Sequence, residues 1–383
     1  MTTADATRQL GRPVHRGKAA SWLSKVFAFH SAGLNWARGV MILDVLLVPL
    51  VVFWAIGHEE YLVSTVFGAL FAALVDPGGS YPSRALSGAV FGLVGAALTA
   101  LGFGSGTDAW GWLVFAVSAV TLVASLAVMF GAHRAVAGLL LNIWFIIALA
   151  LATTLNHTGH TSHTWAQVVA WASGSAIWIA VTFFAWLIRG RKDVARPIAE
   201  IPGDTSRRPL TRPVIMFAVL RTTVMAGATA LAYGLDLSHG EWLQIAAIIA
   251  MRPTLQASTV IAVQRIAGAL IGAAGAVLLL LIPANVHGRN LVSITVGLEV
   301  VAIVAFMHAA AIRFWNYAVY TAAVAAGVLI LIDLPQPSDY GAEGYRVLWT
   351  LCGVAMGVLV MVPATLLAKR TAEATPLPAA QRG

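Results

Sequence analysis

A chain of 383 residues that is 59% hydrophobic and only 10% charged cannot cover a soluble surface, which takes about a quarter charged residues. It reads as an all-α polytopic membrane protein, and its net charge of +8 follows from loop topology rather than from nucleic-acid binding. The single cysteine, Cys352, lies within an apolar run, which excludes a disulfide framework or a thiolate metal cluster.

Residues 1–33 carry Arg8, Arg12, Arg16, Lys18 and Lys25 before any apolar run. That lead is too charged for a cleavable signal peptide, so the first span is expected to be retained. Apolar runs follow at about 36–56, 61–75, 85–102, 110–130, 135–155 and 166–188, and long uninterrupted ones are read as membrane spans. A basic linker, 189–213, separates them from a second set at about 214–235, 242–251, 262–282, 291–308, 317–332 and 346–368. The expected organisation is a basic segment 1–33, a membrane unit 34–188, the linker 189–213, a second membrane unit 214–368 and a short tail 369–383.

Placing both termini and the linker in the cytoplasm leaves Arg289 and Arg346 as the only outer cations of 24 Lys and Arg, as the positive-inside rule asks of a cytoplasmic-membrane protein. The two sets also echo each other. His58-Glu59-Glu60-Tyr61-Leu62 recurs as His239-Gly240-Glu241-Trp242-Leu243, and an arginine follows Glu60 and Glu241 by 24 positions, Arg84 and Arg265. Behind those arginines Gly88, Gly92 and Gly95 match Gly268, Gly272 and Gly275; Arg38 and Arg221 occupy the first runs, and Trp171 with Gly174 and Trp349 with Gly353 the last. An ordered series at a nearly constant offset is the mark of a duplication, here two parallel six-helix units making about twelve spans. The glycines are expected to let helices pack closely between the third and ninth spans.

The run from Trp242 to Met251 is cut by Arg252-Pro253. Ten residues rise only about 15 Å, half of a hydrocarbon core of about 30 Å. The run from Tyr61 to Val75 likewise ends at Asp76-Pro77-Gly78-Gly79-Ser80-Tyr81-Pro82. Pro/Gly-interrupted segments at matching places in two repeats point to a transporter's binding site. A helix restarting at Pro253-Thr254 offers free amides, Arg252, Arg265 and Arg84 offer charge, and Thr254, Gln256, Ser258 and Gln264 offer hydrogen bonds, a set that suits a small organic anion. Asp44 and Glu299 lie deep in the first and tenth runs, where a carboxylate is either paired or a proton carrier.

His157, His160 and His163 fall in a Gly/Thr-rich loop read as solvated, so no metal site is expected. There is no Gly-x4-Gly-Lys-Ser/Thr loop, and His58-Glu59 lacks a second His because position 62 is Leu. With no nucleophile, base and orienting group at recognisable spacing, neither an enzyme nor a cofactor is expected.

Arg252-Pro253-Thr254, Arg265 and the series Gly268, Gly272, Gly275 resemble the membrane-domain pattern of the fusaric acid resistance (FUSC) family, most sharply over 215–368. That family includes aromatic carboxylic acid exporters and is similar to plant aluminium-activated malate transporters. The resemblance implies export of small organic anions, aromatic acids foremost, driven by ion gradients, with Arg252, Pro253 and Arg265 as functional positions. A gated anion channel and a non-transporting envelope protein remain alternatives, and a homo-oligomer remains open.

Overall fold

The computed structural model describes residues 29, 34–106, 108–157, 162–193, 209–251, 255–284, 289–313, 315–333 and 340–374. Twelve α-helices run through them: α1 (Trp36–Ile56), α2 (Leu62–Leu74), α3 (Tyr81–Gly104), α4 (Trp110–Leu126), α5 (Ala132–His157), α6 (Thr164–Ile188), α7 (Arg212–Gly234), α8 (Glu241–Ala250), α9 (Leu255–Ala284), α10 (Arg289–Ile312), α11 (Tyr317–Asp333) and α12 (Tyr340–Ala374). Seven of the helical stretches among the described residues are long and apolar enough to cross a membrane. α2 and α8 are too short to do so.

Local chemistry sets the helix ends. The Asn35 side chain accepts from the Arg38 amide at 3.1 Å and starts α1, and Gly57, at φ +69°, ends it with a left-handed turn that costs glycine nothing. Asn316 does the same for α11, its Oδ1 accepting from the amides of Ala318 at 2.9 Å and Val319 at 3.2 Å. Proline stands in the first turn of α3 and of α7, where its missing amide would have had no partner.

The packing partners recur between the first six helices and the last six. α2 lies against α6, and α8 against α12; α3 lies against α5 and α6, and α9 against α11 and α12; α1 meets α2, and α7 meets α8. Between the sets, α4 packs on α7 while α10 packs on α1. Two glycine crossings hold the short helices. The backbone of α6 at Gly174 meets the Thr65 carbonyl of α2, and that of α12 at Gly353 meets the Leu243 carbonyl of α8, so closely that any β-carbon would collide. Both short helices are buried along almost their whole length. Around α2 the core is aromatic: Trp171 stacks on Trp144 with centroids 4.5 Å apart and donates its indole N–H to the Gly92 carbonyl at 3.1 Å.

The two glycine series do not face each other as the sequence spacing implied. Gly88, Gly92 and Gly95 turn toward Ile179, Ser175 and Trp171 of α6, whereas Gly268 and Gly272 turn toward α11, against Thr321, Ala322 and Ala325. Gly275 has nothing within 4 Å of where its β-carbon would stand. Spacing fixes which face of a helix is smooth but not which neighbour lies on it.

Candidate functional site

A helix that stops inside a membrane leaves its last carbonyls without intrahelical partners. Each short helix meets this problem with an arginine from the first helix of its own set. Arg38 of α1 donates Nη2 to the carbonyl of Ala73 near the end of α2. Arg221 of α7 donates Nη2 to the carbonyl of Ile248 near the end of α8 at 2.9 Å, with its guanidinium 5.9 Å from the Phe217 ring. Cations at a helix carboxyl end also face the negative pole of its dipole.

The positions of these arginines locate the two breaks. Arg221 stands nine residues from the start of α7 and thirteen from its end, so α8 stops near the middle of its neighbour. Arg38 stands two residues from the start of α1 and eighteen from its end, so α2 stops much closer to one end of the bundle. A third arginine links the sets: Arg313, beyond the end of α10, donates Nη1 to the Leu74 carbonyl of α2 at 3.1 Å. The half-buried Tyr320 of α11 lies within electrostatic reach of both Arg313 and Arg265.

The breaks differ in charge. At the first, Gly78 (φ +64°) and Gly79 (φ +86°) turn the chain, a conformation that side chains resist. They bring Asp76 against Arg84, whose Nε donates to Oδ1 at 2.8 Å and whose Nη2 donates to Oδ2 at 2.5 Å. Arg84 is therefore engaged by a resident carboxylate rather than open to a substrate. The pair that follows the end of α8 is Arg252-Pro253, whereas Asp76-Pro77 follows the end of α2. Arg265, the counterpart of Arg84, is only 6% exposed, and among the described residues its Nε has no hydrogen-bond partner. A buried guanidinium keeps its charge, so an unsatisfied N–H on it attracts an acceptor.

Of the other positions singled out in the sequence, Arg252, Pro253 and Thr254 lie outside the described residues, and of Gln256 only its place in α9 is described. Gln264 is buried, and its carbonyl accepts from the Thr321 hydroxyl at 3.3 Å. Glu299 is buried within α10 and has a partner. Asp44 is exposed on α1, as are Val40, Val48, Val51 and Val52. His160 and the side chain of His157 lie outside the described residues, and His163 is the residue before α6. In the sequence Arg38 and Arg221 stand out only as repeat markers. Their role was hidden because a backbone carbonyl 27 or 35 residues away leaves no trace in side-chain identity.

Residues 225–360 match the family model described as fusaric acid resistance protein-like. This segment of the chain is similar to that family. The matched segment runs from within α7 into α12 and so contains the mid-bundle break with Arg265, Arg313 and Tyr320. No curated protein and no solved structure matches the chain. The similarity of this segment to the family, together with long apolar helices, points to a transport-related function in a membrane.

Proposed function

We propose that this protein is a secondary active transporter that exports small organic anions, aromatic carboxylic acids foremost, across the cytoplasmic membrane. Arg265 carries the reading: a nine-tenths buried cation next to Ile266, which packs against the cluster of Ala246, Ala250 and Val354, with no bonding partner at its Nε among the described residues. The name of the matching family, which refers to resistance to an aromatic carboxylic acid, supports the substrate class. Arg252, Pro253, Thr254 and Gln256 complete the site from the chain before Arg265, with amides at a helix start adding donors.

In this reading the twelve helices are two parallel six-helix repeats that rock against each other around the site. The recurring partners α2–α6 and α8–α12, and the reciprocal contacts α4–α7 and α10–α1, support it. Both termini face the cytoplasm, and labelling of a Ser206→Cys probe in a Cys352→Ser background from the outside would refute that orientation. An inside-negative potential already favours anion exit by about 2.3 kcal/mol per charge per 100 mV. Proton entry adds to this drive, with Glu299, the buried acid of the tenth helix, as the coupling group.

The test is counterflow of radiolabelled benzoate in proteoliposomes, with a panel of aromatic and aliphatic acids as competitors. Wild-type protein accumulates label, and Arg265→Gln, incorporated to the same level, does not. Equal counterflow by both proteins would remove the site from this position.

A further inference from the structure

The surroundings of the Asp76 carboxylate form a complete carboxylate receptor. An ionised carboxylate has two oxygens and about four lone-pair directions to satisfy. Here Oδ1 accepts from Arg84 Nε at 2.8 Å and from the Gly78 amide at 3.0 Å. Oδ2 accepts from Arg84 Nη2 at 2.5 Å and from the Trp178 indole N–H at 3.3 Å. Both partners of the ion pair are 9% exposed. Side-on guanidinium recognition of this kind is how arginine takes up a free carboxylate. The donors come from three elements, the α2–α3 turn, α3 and α6, so the cage belongs to the fold and not to one local turn.

We propose that the first half of the chain holds a built carboxylate site permanently occupied by its own Asp76, which leaves one exchangeable anion site per chain, at Arg265. This rests on the reading of Arg265 given above. The halves differ in the pair that follows each short helix, Asp76-Pro77 after α2 and Arg252-Pro253 after α8: an acid in the first, a base in the second. Two further arginines, Arg38 and Arg313, stand at the adjoining end of α2, and Arg38 lies within electrostatic reach of the carboxylate. The cleft beside the pair, lined by Ala72, Val75, Gly88, Trp178, Ile179 and Thr182, has room for about one water molecule. An aromatic acid therefore does not fit, but formate, the smallest carboxylate, does once the Asp76 side chain is cut back.

The experiment is chemical rescue in detergent-solubilised full-length protein. Asp76→Ala should melt at least about 5 °C below wild type, since it leaves Arg84 buried without its partner. Formate should restore half or more of that loss, chloride at equal ionic strength should not, and neither wild type nor the double variant Asp76→Ala/Arg84→Gln should respond to formate. A folded Asp76→Ala protein that is indifferent to formate would overturn the proposal, as would an equal response in wild type. If Asp76→Ala does not fold, Asp76→Asn takes its place in an equilibrium benzoate-binding measurement. Wild type, Asp76→Asn and Arg84→Gln should each bind one benzoate per chain, and Arg265→Gln none. Two sites in wild type, or loss of binding in Arg84→Gln with retention in Arg265→Gln, would refute a single exchangeable site at Arg265. Absence of benzoate binding in wild type would count against the transport reading alone, because the formate response does not depend on it.

Discussion

Replacing Arg221 by methionine isolates the contribution of the arginine clamps. Arg221 is 8% exposed, and its Nη2 holds the Ile248 carbonyl at 2.9 Å. The Ala247 carbonyl is taken by the amide of Met251, so the clamp meets one of the last acceptors of α8. A hydrogen bond from a charged donor contributes about 1.5–3 kcal/mol, and an acceptor left buried without a partner costs a similar amount. Methionine fills the side-chain volume, so the expected loss is about 2–3 kcal/mol, or roughly 4–10 °C in Tm. The assay is built into the chain. Cys352 is its single cysteine, partly buried on α12 beside Gly353, which seats the Leu243 carbonyl of α8. A thiol-reactive fluorophore added during heating therefore reports release of α8 from α12. Arg221→Lys, which keeps the charge and a donor, should recover part of the loss. Thr223→Ala, an exposed position whose hydroxyl only bonds its own helix, should melt like wild type. If Arg221→Met matched wild type within 1 °C, the clamp would not be holding the end of α8.

Gly174→Ala should yield little folded protein, because its β-carbon would collide with the Thr65 carbonyl, whereas Gly227→Ala, with open space at that point, should express normally and gain up to about 1 kcal/mol in helix propensity; size-exclusion profiles separate the two outcomes. Arg313→Gln, which removes the bond to Leu74 across the two sets, should lower Tm by about 2–4 °C, corresponding to roughly 1 kcal/mol. Asp44→Asn should leave benzoate counterflow and its sensitivity to a protonophore unchanged, because this carboxylate is exposed on α1. A protonophore-insensitive Asp44→Asn transporter would return Asp44 to the coupling path.

Much of this architecture was legible because apolar run length is a direct physical constraint on a membrane chain. The run 242–251 became α8 at Glu241–Ala250, and the run 61–75 became α2 at Leu62–Leu74, since Pro and paired Gly leave a helix little choice about where to stop. The start of α9 was legible from the break rather than from the apolar run. A helix was expected to restart at Pro253-Thr254, and α9 is described from Leu255, although the apolar run opens only at about 262, because Gln256, Ser258 and Thr259 interrupt the apolar pattern without breaking the backbone. At the site, Arg265 was visible as a charge in an apolar context. Its contrast with Arg84 was not, since that depends on Asp76 folding back across a glycine turn. The glycine series shows the same limit: a smooth stripe is a local property, and its neighbour is decided by the whole bundle.

The short length of α8 also has an electrical meaning. Its ten residues cover about 15 Å of a hydrocarbon core of about 30 Å. A monovalent anion held at its carboxyl end has therefore crossed about half of the transmembrane field, worth roughly 1.1 kcal/mol at 100 mV. Loading from the cytoplasm should then tighten by about sevenfold for each 100 mV of inside-negative potential, so the resting potential would act on occupancy as well as on the direction of release.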